Sequence, residues 1–149
     1  MSFELVKKKL VSEIKVFFEQ GASQYHIDLA LLYGSWARGY PHQDSDIDLA
    51  LLFSSEIDCQ DKIFFLINDI SYKLGSKLNR EVNIISISTD FGHPMLYYNA
   101  IVLGIPLFVK DYDRFLSLKL EAIYQAADFE LFGVYWQQEI AKRLISSIR

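Results

Sequence analysis

Asp46 and Asp48 stand two residues apart at the head of an apolar run, and Gly34-Ser35 closes an earlier apolar run; ten residues separate Ser35 from Asp46. Aspartates at i and i+2 of a strand project from one face. Two carboxylates side by side are a way to hold Mg²⁺ while leaving positions for water and phosphate oxygens. Gly34 allows a backbone to come close to a phosphate, and Ser35 can cap a helix whose first amides attract anions. The plain alternative is that aspartates at a strand entrance only form a turn or a solvated edge.

For these residues to meet, two strands must run side by side in opposite directions. Ile27 to Tyr33 (IDLALLY) and Ile47 to Phe53 (IDLALLF) are short, apolar and turn-bounded, which predicts buried strands. Gly39, Pro41 and Asp44 turn the chain between them. Antiparallel pairing brings the end of the first strand to the start of the second. Asp28 mimics Asp48 in the repeated IDLALL. It lies about 16 Å from Tyr33 along an extended strand, the wrong end for a ligand.

Gly-Ser, ten residues, then Asp-x-Asp, each part abutting a strand, resembles the DNA polymerase β-like nucleotidyltransferase superfamily. The motif core spans Gly34 to Asp48, and the order of strands and helices agrees over most of the chain. The short length is most similar to the minimal nucleotidyltransferases, or MNT proteins, many of which are antitoxins of HEPN-domain toxins. The resemblance implies an α/β fold: a small mixed sheet of about four strands packed with helices, with a helical C-terminus. It implies Asp46 and Asp48 as metal ligands for Mg²⁺, with ATP as substrate and Gly34 and Ser35 on its phosphates. It also implies transfer of AMP to a protein acceptor, with the chain as the antitoxin of a HEPN toxin.

The superfamily's third carboxylate falls on the third strand, Glu81 to Ile87 (EVNIISI), at a position that here looks like Asn83. Asparagine offers a carbonyl oxygen but neither charge nor a base. Glu81, two residues earlier on the same face, is the candidate replacement as catalytic carboxylate. The other reading is a silent module that neutralises its toxin by contact. A third is a small-molecule nucleotidyltransferase of the aminoglycoside type, for which this chain is short unless it self-associates. Arg38 has two readings, a nucleotide-phosphate ligand or a local ion pair with Asp44 or Asp46. His42 in the same loop reads as a base or as a plain loop residue.

The rest of the chain supplies the supports. At 149 residues, with 51% hydrophobic content, it fits a single domain over 1–149 with a full core. A net charge of −4 and a pI near 5.3 argue against a broad nucleic-acid footprint. No apolar run has the length of a membrane span, and MSFELVKKKL lacks the order of a signal peptide. One cysteine, Cys59, permits no internal disulfide and suits a reducing cytoplasm, and three histidines are too few for a zinc site. Amphipathic helices are predicted over 3–20 and 61–78, a short one over 93–103 and an edge strand over 105–109. From Tyr112 the pattern is helical to the end, with Gly133 placed to kink or divide it. Phe129, Phe132, Tyr135 and Trp136 read as core or as a partner surface. With no separate lid domain, the acceptor is expected to dock on an open face of the sheet.

Overall fold

The computed structural model describes residues 3–39, 45–57, 59–88 and 92–148. The two IDLALL runs form β1 (Ile27–Tyr33) and β2 (Ile47–Phe53), paired antiparallel at the centre of the sheet. β3 (Val82–Ser86) joins β2 in parallel, and β4 (Ile105–Val109) joins β1 antiparallel, giving the order β3-β2-β1-β4. The sheet is mixed and four-stranded, as expected, and β4 with its Pro106 is an edge.

Continuous apolar runs are what strands need when both sheet faces are covered. Ala30, Leu32, Leu49 and Leu51 face a core built with Leu10, Ile14 and Phe18 of α1 (Phe3–Gly21) and Ile70 and Leu74 of α3 (Gln60–Leu78). α3 ends where Asn79 takes the left-handed conformation, φ 53°, a cap that asparagine tolerates. Leu29, Leu31, Ala50 and Leu52 face the opposite way, against Tyr97 of α4 (Pro94–Tyr97), Ala100 and Ile101 of a π-turn (Tyr98–Val102), and Phe115 and Ala122 of α5 (Tyr112–Ile148). Neither face of the central strands is open, which corrects the expected docking of an acceptor on the bare sheet. The predicted helix over 93–103 is realised as α4 and the π-turn.

α2 (Ser35–Arg38) is a single turn after β1. At the far end of the sheet Asp28 accepts from Arg114 at 2.8 Å and lies 3.7 Å from Lys110, so the aspartate of the first IDLALL run ties the start of α5 to β1. That structural duty explains the repeat without a second site.

α5 runs through Gly133 without a break. Its 37 residues span about 55 Å. Phe115, Ala122 and Ala126 are buried, and no residue from Ala127 to Ser147 is. Phe129, Phe132, Tyr135 and Trp136 are all more than half exposed, so the aromatic cluster is surface and not core. Because the overhang contributes nothing to either core, ending the chain after Asp128 is expected to lower the thermal midpoint by less than about 3 °C. Leu49→Ala, which hollows the fully buried centre, is expected to cost 2–5 kcal/mol in chemical denaturation.

Candidate active site

The central pairing decides which side chains meet. Tyr33, the last residue of β1, pairs with Asp48, and Asp48 pairs across the other side with Asn83 of β3. Asp48 shares the parity of Ala50 and Leu52, and Asn83 that of Ile85. Both therefore point to the α4–α5 side, at the rim just beyond the second core. Asp46 precedes β2 with the same parity.

Gly34 sits against this rim. A Cβ on Gly34 would run into the Asp48 carboxylate, and its φ of 76° with ψ of −152° is a conformation that side chains rarely take. Glycine is thus required twice, for backbone and for space. Gly34 and not Ser35 occupies the cap position of α2, so Ser35, expected as the cap, is the first helical residue and makes no side-chain capping bond. The Gly34 and Ser35 carbonyls accept from the amides of Arg38 and Gly39, both at 3.1 Å, which closes the turn.

Asp48 carries the stress of the arrangement. Partial burial raises its pKa, the Asn83 amide pulls it back, and the neighbouring Asp46 pushes it up again. Asn83 Nδ2 also donates to Asp46 Oδ2 at 3.3 Å. One amide thus bridges both carboxylates from the place where a third carboxylate was looked for. Tyr33 is raised by burial and then by Asp48. Among the described residues no cation forms an ion pair with Asp46 or Asp48, and no cluster of three acidic, histidine or cysteine side chains surrounds a point. Two close, uncompensated carboxylates beside a bare glycine backbone suit a hard divalent cation that shares its coordination with phosphate oxygens. The chemistry of this pair is compatible with Mg²⁺, which Asp46 and Asp48 would then hold.

The other expected residues lie as follows. Glu81 is exposed just ahead of β3 and its carbonyl accepts from the Ile47 amide at 2.8 Å; it borders a groove with Tyr72, Ser76 and Asn79 on the α3 side. Arg38 donates to Asn99 Oδ1 of the π-turn at 2.8 Å and makes no ion pair with Asp46. His42 and Asp44 lie outside the described residues.

Sequence reasoning passed over Trp36 and Asn99. Trp36 is buried, its Nε1 donates to the Ser45 carbonyl at 3.3 Å, Phe3 stacks on it, and the Arg80 guanidinium lies 4.9 Å from its ring centre. It pins the residue before Asp46 to α2. A tryptophan within a turn-rich loop was the available signal, since so large a ring is seldom spent on solvent. Asn99 carried no signal, because its role arises only from the π-turn.

A mixed sheet with Gly-Ser at one strand end and Asp-x-Asp at the next strand's start defines a nucleotidyltransferase-type fold and site. Residues 13–113 match the family described as Polymerase beta, Nucleotidyltransferase, and the chain belongs to that family. No curated protein matches the chain significantly. Among solved structures, it is similar to a chain in a toxin–antitoxin crystal structure with AMP-PNP, with a TM-score of 0.61 and 19% identity over 87% of this chain and 98% of that one. It is also similar to a chain in a structure of the tri-AMPylated HEPN toxin of Shewanella oneidensis in complex with an MNT antitoxin, with a TM-score of 0.56 and 17% identity over 90% and 98%. A chain of an MntA–HepT toxin–antitoxin structure gives a TM-score of 0.58 and 18% identity over 92% and 98%. These neighbours speak for the fold.

Two outcomes follow for the rim. Gly34→Ala is expected to displace the Asp48 carboxylate and abolish Mg²⁺-dependent nucleotide binding by calorimetry, while circular dichroism stays native. Asp48→Asn removes a half-buried like charge without changing shape. It is expected to raise the thermal midpoint of the metal-free protein at neutral pH by a few degrees and to erase any further rise on adding MgCl₂ with ATP.

Proposed function

We propose that the chain is an Mg²⁺-dependent nucleotidyltransferase that moves AMP from ATP to a protein, and that it serves as the antitoxin of a HEPN toxin. The observation that carries the reading is the closeness of the Asp48 carboxylate to Gly34, where a Cβ would meet it; this supports reading the corner as a metal-ligand pair beside a phosphate-approach point. The fold likeness to chains in toxin–antitoxin structures, one with AMP-PNP and one with an AMPylated HEPN toxin, supports the choice of nucleotide and partner.

In the transfer, an acceptor hydroxyl oxygen bonds to the α-phosphorus, the bond from that phosphorus to the bridging oxygen breaks, pyrophosphate leaves and the hydroxyl proton passes to a base. Mg²⁺ bound here supplies charge neutralisation at the phosphates. The chain's own part is positional. Gly34 and Ser35 offer backbone to the β- and γ-phosphates, Asp46 and Asp48 fix the coordination point, and Arg38 is held near by Asn99 for the phosphates. Glu81, the carboxylate expected to orient or deprotonate the acceptor, borders the α3-side groove and not the Asp46–Asp48 rim, so it would serve only an acceptor that approaches from that side.

A second reading is favoured by Asn83. Its amide, donating where a carboxylate would accept, gives the corner no third charge, and a protein that binds its toxin without modifying it would need none. Labelling separates the two. Purified protein with MgCl₂ and α-³²P-ATP, with a HEPN-family protein encoded beside it as acceptor, is expected to label that protein, and Asp48→Asn is expected to lower labelling by about a hundredfold or more. Absence of label from a pair that still co-elutes would overturn the transferase and leave the binding module.

A further inference from the structure

The stripe of α5 that packs on the domain does not stop where the domain stops. Phe115, Leu118, Ala122 and Ala126 recur at three- and four-residue steps, and the same steps continue through Phe129, Trp136, Ile140 and Leu144 with no body beneath them. Phe132 stacks on Trp136 at 6.4 Å between centroids, which stiffens the two rings as one ridge. Gly133 lies inside this stripe, and the space where its Cβ would be is open. Glycine is a poor helix former in mid-helix, and no contact within the fold accounts for it. Flanked by Phe129, Phe132 and Trp136, it leaves a notch in an aromatic ridge. The overhang therefore carries both a knob and a hole.

We propose that this overhang, from Phe129 to Leu144, pairs antiparallel with the same segment of a second copy of the chain, about a two-fold axis beside Trp136. Length, charge and area argue for that occupant. About this axis Leu144 of the partner falls opposite 127–128, so the partner's stripe runs out where the domain begins. Asp128 and Arg143 lie on the same flank of the stripe, and neither has an ion-pair partner among the described residues. Antiparallel pairing sets Asp128 of each copy beside Arg143 of the other, two ion pairs for one interface, whereas parallel pairing would oppose like charges. Three aromatics more than half exposed, with Ile140 and Leu144, would bury about 1,000 Å² in total, the lower bound of a specific interface. The dimer is accordingly of micromolar strength. The opposite stripe, Leu116, Leu120, Ile123, Leu131 and Val134, stays free for a different protein.

The inference rests on α5 alone, and its test uses neither nucleotide nor toxin, so it stands or falls apart from the proposed transferase. Sedimentation of the purified full chain over about 1–200 μM is expected to give a monomer–dimer equilibrium. Asp128→Lys and Arg143→Glu are each expected to weaken it about tenfold, and the two together to restore it to within about threefold. Gly133→Leu adds helix propensity and apolar surface but fills the notch, and is expected to weaken the dimer. A chain that stays monomeric, a double variant weaker than either single one, or a Gly133→Leu chain that associates more strongly would each overturn the proposal, the last by identifying unspecific adhesion.

Discussion

The Asp48 carboxylate resting on the α-carbon of Gly34 is the contact on which the rest of the site depends. It is possible only because β1 ends, and β2 begins, in one antiparallel register that sets Tyr33 opposite Asp48. A slip of one residue would turn Asp48 toward α1 and α3 and bury a carboxylate among leucines. The apolar runs forbid that slip. With both sheet faces covered, every residue from Leu29 to Leu32 and from Leu49 to Phe53 has an assigned core, and the rim aspartates inherit their direction from it.

The same constraint explains how the chain places a charged pair without a buried charge. Among the described residues, no polar or charged side chain is buried. Asp46 and Asp48 stand where the second core gives out, and partial burial there raises the pKa of Asp48 without enclosing its carboxylate. Trp36 holds the outer wall of this rim by fixing the Ser45 carbonyl, and Arg38 joins α2 to the π-turn on the other side. The loop bearing Asp46 is thus anchored by the large ring and not by the short polar residues that drew notice first.

Much of this was legible before any coordinates. The limits of β1 and β2 and the meeting of Gly34 with Asp48 followed from period, turn residues and spacing, because local and global preferences agree there, while the four-stranded mixed sheet followed from the family resemblance. What stayed hidden arises from non-local geometry. Asn99 reaches Arg38 across 61 residues of chain. Helical periodicity says that α5 has apolar stripes, but not where the domain beneath one of them ends, so the aromatics from Phe129 to Trp136 could be read either as core or as surface.

Asn83 shows how a substitution at a charged site shifts the balance between folding and function. Three carboxylates at this rim would repel one another in the metal-free chain and would be relieved only by bound cations. An amide in the third position removes one charge and donates to Asp46, so it offsets part of the repulsion between the two carboxylates. The corner thus carries two carboxylates joined by one amide, where three carboxylates would leave a larger repulsion.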